Sequence, residues 1–96
     1  MKRDNVLRIL MRFRDLKQDE FGIIRIGVFG SVARDEMTDI SDVDVVVELD
    51  QPDLLTLVGI KQELEESLHR SVDVVRYREG MNAYLKRRIE REAVYV

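Results

Sequence analysis

The stretch IIRIGVFGSVARDEMTDISDVDVVVEL, residues 23–49, decides the fold. Residues 23–29 form an apolar run of strand length, rich in Ile and Val. Such a near-continuous run predicts a strand covered on both faces. Gly30-Ser31 follows, and VARDEM after it has the look of a short helical turn. Residues 37–41 read as a loop. Residues 42–49, DVDVVVEL, alternate and then run apolar, which predicts a second strand. Upstream, Val6, Ile9, Leu10, Phe13 and Leu16 recur at steps of three and four, so residues 5–17 read as a helix capped by Asp4 or Asn5. Gly22 ends the connection to the first strand. Downstream, Pro52 and the cap Asp53 open a helix to about residue 68, its buried stripe made of Leu54, Leu57, Val58, Ile60, Leu64 and Leu68. Residues 71–76, SVDVVR, form a third strand. Gly80 or Asn82 starts a last helix with Met81, Leu85, Ile89 and Ala93 on one face, and VYV at 94–96 adds a short terminal strand. The order is an α/β (α+β) domain, a mixed sheet of three to four strands flanked by helices. There is no repeat and no linker, so residues 1–96 read as a single domain.

Composition narrows the chemistry. Apolar residues are 45% and charged residues 36%, which excludes disordered, collagenous and low-complexity classes. There is no Cys, so disulfides, thiolate zinc sites and cysteine nucleophiles are excluded. A single His excludes a multi-histidine metal site within one chain. Chemistry must rest on carboxylates, hydroxyls, Arg, Lys or backbone amides. The net charge is −3, which disfavours nonspecific binding of nucleic acid. No apolar stretch approaches the ~20 residues of a membrane helix. The basic N-terminus, interrupted by Asp4 and Arg8, lacks the apolar centre of a secretory signal. A cytoplasmic protein is expected.

Between residues 35 and 60 stand eight acids and no Lys or Arg, in a chain where 16 of 96 residues are basic. Asp35, Glu36 and Asp39 read as a solvated loop. Asp42 and Asp44 are different. Two apart on a strand, they point the same way, roughly 6.5–7 Å apart at Cα. Two carboxylates at the edge of an apolar run cannot both be buried without a cation or a proton. Asp73 lies between Val72 and Val74 in another short apolar strand. If that strand neighbours 42–49, three carboxylates converge, and three oxygens with waters and phosphate oxygens suit Mg²⁺. Such a site supports phosphoryl or nucleotidyl transfer. Gly30 permits close backbone approach, Ser31 caps the following turn or offers a hydroxyl, and a helix start there presents amides to an anion.

Gly30-Ser31-Val32-Ala33-Arg34, followed by Ser41-Asp42-Val43-Asp44 and the later Asp73, resembles the signature of the nucleotidyltransferase superfamily with a DNA polymerase β-like fold. The small size is similar to its minimal nucleotidyltransferase (MNT) branch, many of whose members are antitoxins paired with a HEPN-domain toxin. The family commonly has Gly after the motif Arg; here that position is Asp35. By this resemblance Asp42 and Asp44 hold one or two Mg²⁺ with the triphosphate of ATP, and Asp73 completes the metal site and helps deprotonate the acceptor. Gly30 and Ser31 contact the β- and γ-phosphates. Arg34 neutralises phosphate or pairs with Asp35, Glu36 or Asp39. Ser41 bonds the loop or the phosphate, or caps.

The resemblance implies transfer of AMP to a tyrosine of a HEPN-type toxin. A chain of 96 residues leaves little surface for an acceptor pocket, so the acceptor is expected from a partner protein or a second subunit, and a homo-oligomer is compatible. The alternatives are a noncatalytic antitoxin that masks its partner, and a small-molecule enzyme of the aminoglycoside nucleotidyltransferase type. Basic residues on the end helices (Arg12, Arg14, Arg87, Arg91) are candidates for the partner surface.

Overall fold

The first helix announces how the two faces of the sheet differ. In the computed structural model, which describes residues 2–96, α1 spans Arg3–Phe21. Val6, Leu10 and Phe13 sit on one side and are buried. They press on one face of a four-stranded sheet made of β1 (Ile23–Phe29), β2 (Val43–Leu49), β3 (Val72–Arg76) and β4 (Val94–Tyr95). The spatial order is β3-β2-β1-β4. β1 pairs antiparallel with β2 and β4, and β2 pairs parallel with β3, so the sheet is mixed. The domain is a single small α+β unit.

Strand alternation divides the sheet into two faces. Ile26, Val28, Val43, Val45, Val47 and Val72 point to α1 and α3 (Leu54–Leu68) and build the main core with Leu10, Ile60 and Leu64. A side chain of this kind, fully buried, contributes about 1.5–3 kcal/mol. Phe29 and Val46 point the other way and meet Ile89 of α4 (Ala83–Glu92). That second core is small, so much of its face stays open to solvent.

The boundaries differ from expectation in instructive ways. α1 starts earlier and runs four residues further than its apolar pattern, because Phe21 stacks on Phe13 at 6.1 Å and Gly22 ends the helix at φ 66°. Its start has no side-chain cap; Asp4 lies within the first turn. Leu16 is 70% exposed, since α3 faces it with Glu63, Glu66 and Ser67 and not with apolar residues. On α3, Leu54 and Val58 are exposed. The buried stripe runs instead through Ile60, Leu64 and Leu68, with Leu57 half-buried beside them. Asp53 does cap α3, accepting from the Leu55 amide at 2.8 Å. Asn82 caps α4 through the Leu85 amide at 3.0 Å. β1 is covered on both faces except at Ile24, which is 53% exposed.

Gly27 is what lets β4 join. A Cβ there would meet the Val94 carbonyl oxygen at 2.5 Å and Tyr95 Cα at 2.9 Å. No helix among the described residues is long and apolar enough to cross a membrane.

Candidate active site

β1 ends at Phe29, and the chain turns at Gly30 into α2 (Gly30–Ala33), a single turn. Gly30 has φ +70°, the left-handed region that costs other residues about 1–2 kcal/mol. The turn also needs the missing side chain. A Cβ on Gly30 would run into the Asp44 carboxylate and come within 3.3 Å of Arg88 Nη2. Gly30 is therefore a buried cradle already filled by two side chains, with the Asp44 carboxylate against it and the Arg88 guanidinium behind.

β2 supplies the acids. Asp44 sits opposite Phe29 on one side and opposite Asp73 on the other, the latter across the parallel β2–β3 ladder. Residues paired in register on neighbouring strands point to the same face. Asp44 and Asp73 thus share the α4 side of the sheet, and Asp42 stands just before β2. Asp44 and Asp73 are thus neighbours across the ladder, with Asp42 two residues before Asp44.

They differ in burial. Asp44 is half-buried, while Asp42 and Asp73 are exposed. Asp73 is exposed although Val72 and Val74 flank it in sequence, because β3 is an edge strand of the sheet. Burial, then the charge of Asp73 and that of Asp42, push the Asp44 pKa above the usual carboxylate range; Arg88 and Arg34 oppose the shift. Among the described residues no three acids yet close to the spacing that grips one ion. The donor chemistry nevertheless fits a hard divalent cation: all-oxygen donors, with negative charges raising the proton affinity of the most buried one.

The remaining sequence-derived residues fall into place around this corner. Ser31 is the second residue of α2 and does not cap it; the position before the helix is Phe29. α2 is also too short to gather a helix dipole, so an anion would be met by the Gly30 turn itself. Arg34 is ion-paired, but with Glu92 at 2.6 Å and Glu36 at 3.6 Å; of the partners anticipated, only Glu36 is used. Ser41 serves the loop: its hydroxyl accepts from the Thr38 amide at 3.0 Å and bonds Thr38 Oγ1 at 2.9 Å. Arg70 ties down the same loop by donating to the carbonyls of Thr38, Asp39 and Ser41. Asp35, where glycine was anticipated, takes φ +57° and so adopts a glycine-like left-handed conformation. Asp is among the residues that tolerate it. Its carboxylate accepts from the Arg3 amide at 3.3 Å.

Sequence reasoning missed two residues. Arg88 and Glu92 of α4 reach into the corner. Glu92 accepts from Arg34 Nη1 at 2.6 Å and from Arg88 Nε at 3.1 Å. Burial works against its charge, but these two bonds hold its pKa below the usual range. The Arg88 guanidinium also lies over the Phe29 ring at 5.6 Å. Of the residues considered for a partner surface, Arg12, Arg87 and Arg91 are exposed, and Arg14 is paired with Asp15 at 2.9 Å. Two grooves lie elsewhere. One, of about 450 Å³, runs between α1 and α3; the other, of about 500 Å³, lies at the acidic end of α1. The carboxylates stand on an open corner, where a second molecule can close over them.

Comparison with known proteins gives the family and the fold. The profile of the nucleotidyltransferase domain family matches residues 9–96. A Methanocaldococcus jannaschii protein provisionally named a protein adenylyltransferase is 46% identical over 76 residues, 78% of this chain and 81% of its own length. A solved structure provisionally described as a minimal nucleotidyltransferase superposes with a TM-score of 0.79 at 33% identity, covering 98% of this chain and 95% of that one. The fold also matches, at TM-score 0.67 and 21% identity, a Shewanella oneidensis complex of a tri-AMPylated HEPN toxin with its MNT antitoxin, covering 99% of this chain and 71% of that one.

Proposed function

Because the chain belongs to the nucleotidyltransferase domain family, we propose that it transfers AMP from ATP, with Mg²⁺, to a tyrosine hydroxyl of a partner HEPN-type toxin, and so acts as an antitoxin. The observation that carries this is the in-register pair Asp44 and Asp73, with the Asp44 carboxylate seated against the Gly30 turn. The fold shared with the toxin–antitoxin complex, and the adenylyltransferase name of the 46% identical relative, support the choice of acceptor. The reading assigns the protein to the cytoplasm, where ATP is at hand.

Asp42, Asp44 and Asp73 would hold one or two Mg²⁺. When bound, the metal supplies charge neutralisation at the α-phosphate and alignment of the leaving group. The chain's own residues do the rest. Gly30, having no Cβ, lets the Asp44 carboxylate sit against the turn that would face the phosphates. Ser31 offers its hydroxyl at the same turn. Arg34 stands at the rim with charge secured by Glu92, ready to meet phosphate. Ser41 fixes the loop that delivers Asp42 to the start of β2. Asp73, the more exposed carboxylate, accepts the tyrosine proton as the tyrosine oxygen bonds to the α-phosphorus and pyrophosphate leaves. The partner contributes the tyrosine and closes the open corner against water.

The test is intact mass spectrometry of this chain co-expressed with a HEPN-type toxin. AMP adducts on the toxin that disappear with Asp44→Asn support the reading. An unmodified toxin that the Asp44→Asn variant still neutralises favours masking by contact alone.

A further inference from the structure

Three carboxylates are a poor place to bring a triphosphate. Like charges repel it, and a metal offsets only part of that. The corner therefore needs cations of its own. Two act on Asp44, Arg88 first and Arg34 second. Arg34 was foreseen from the motif. Arg88 was not, and its surroundings are unusual for a surface arginine.

Arg88 stands on α4 between Leu85 and Ile89, on the side that packs against the sheet. Its side chain is 32% exposed. Phe29 lies under the guanidinium, and Glu92 takes the Nε–H. Among the described residues neither Nη group has an acceptor. Nη2 points to the cradle, 3.3 Å from where a Gly30 Cβ would be. The stem is held by Glu92, and among the described residues the Nη groups are left without an acceptor beside the Gly30 turn and the Asp44 carboxylate. Glu92, 15% exposed, holds Arg34 in the same grip.

We propose that Arg88 is a direct phosphate-binding residue for the nucleoside triphosphate, and that Glu92 is the positioning residue that aims Arg88 and Arg34 together at the Gly30 cradle. The assignment rests on the nucleotidyltransferase reading above and extends it to α4. A guanidinium fork suits phosphate better than an ammonium, because two parallel N–H groups can meet two oxygens. The Nε–H bond to Glu92 and the Phe29 ring 5.6 Å away restrain the guanidinium before the ligand arrives, which lowers the ordering cost of binding.

The experiment is calorimetric titration of ATP and of AMP, each with excess Mg²⁺, into the full chain and three variants. Arg88→Ala should weaken ATP by roughly 10- to 100-fold, the size of a lost charge-assisted bond. AMP, lacking the outer phosphates, should change by no more than about twofold, well below that loss. Arg88→Lys keeps the charge without the fork and should recover part of the ATP loss. Glu92→Gln should fall between the wild type and Arg88→Ala, again for ATP selectively. Thermal melting without nucleotide checks that each variant folds; if Arg88→Ala melts early, the Lys variant carries the comparison. Equal ATP affinity in the wild type and in a folded Arg88 variant overturns the proposal and leaves the parent reading intact. Equal losses for ATP and AMP also overturn it, since Arg88 would then be shaping the corner. A wild type that binds no ATP overturns the parent reading and this proposal with it.

Discussion

Replacing Gly30 with Ala tests the site at the point where geometry is least forgiving. Two costs add. The backbone at φ +70° charges a non-glycine residue about 1–2 kcal/mol. The new methyl group also runs into the Asp44 carboxylate, with Arg88 Nη2 at 3.3 Å behind it. The carboxylate is the far end of a short side chain and can swing away, so only part of a full overpacking cost of about 1–3 kcal/mol should appear. The total is about 2–3 kcal/mol, and at about 4–8 °C per kcal/mol for a domain of this size the melting temperature should fall by roughly 8–24 °C. Nucleotide binding should fail even where the protein stays folded, because the swing carries the Asp44 carboxylate out of its place beside Asp73, its partner across the ladder. A double-mutant cycle separates the two costs. In an Asp44→Ala background the carboxylate is gone and φ is unchanged, so Gly30→Ala should cost only its backbone part. The coupling should then be about 0.5–1.5 kcal/mol, within the range for residues in contact. Urea unfolding of the four proteins measures it. Additivity within about 0.3 kcal/mol, together with ATP binding by Gly30→Ala at wild-type affinity, would refute the reasoning.

Other outcomes follow from the same corner. Asp44→Asn should raise apo stability at neutral pH. Its raised pKa means the folded state binds more protons than the unfolded state, so stability falls as pH climbs from about 3.9 through the folded value; melts across a pH series should show the advantage of Asn vanishing below about pH 4, and a wild type more stable than Asn at pH 7 without metal would contradict this. Asp73→Asn should abolish AMP transfer while shifting stability by no more than about 0.5 kcal/mol, because the residue is exposed; mass spectrometry and melting read the two effects. Gly27→Ala should release β4, since the added Cβ meets backbone that cannot yield; a cost of about 1–3 kcal/mol is expected. Hydrogen exchange should then quicken at the Val96 amide, now bonded to the Ile26 carbonyl at 3.0 Å, and not in β2.

The elements most legible in the sequence were those whose pattern has one solution. The run at 23–29 and the alternation at 42–49 admit only strands, and both appear where expected. Helix α3 was less determinate. Apolar residues at 54, 55, 57, 58 and 60 offer two overlapping stripes, and only contact with the sheet selects the one through Ile60 and Leu64. The far end of α1 was invisible for another reason. Past Leu16 the sequence turns polar, and what keeps the helix going is Phe21 returning to Phe13, a contact between residues eight apart. The pairing of Asp44 with Asp73 lay further out of reach. Spacing gave each strand its carboxylates, but the order β3-β2-β1-β4 and the parallel sense of β2–β3 are properties of the assembled sheet.

Arg88 and Glu92 mark where pattern reading went wrong for a reason that can be stated. The basic run Lys86, Arg87, Arg88 read as a solvated face or a protein interface, and neither reading separates Arg88 from its neighbours. Helical spacing splits that run. Leu85, Arg88, Ile89 and Glu92 fall at i, i+3, i+4 and i+7, the spacing of a core-facing stripe, while Arg87 and Arg91 fall outside it. Charges at core-facing positions cost free energy unless they are paired, and a pair placed there only for stability gains little over an apolar substitute. The arrangement makes sense when one member of the pair is spare. Glu92 neutralises its share of two arginines and leaves Nη groups of Arg88 without an acceptor, directed at the cradle of Gly30. A helix built only to cover the sheet would carry Leu or Ala at those two positions and would close its second core more fully. That this one carries a fixed, half-satisfied guanidinium beside a cluster of acids is the strongest reason to count α4 as part of the site as well as part of the wall behind it.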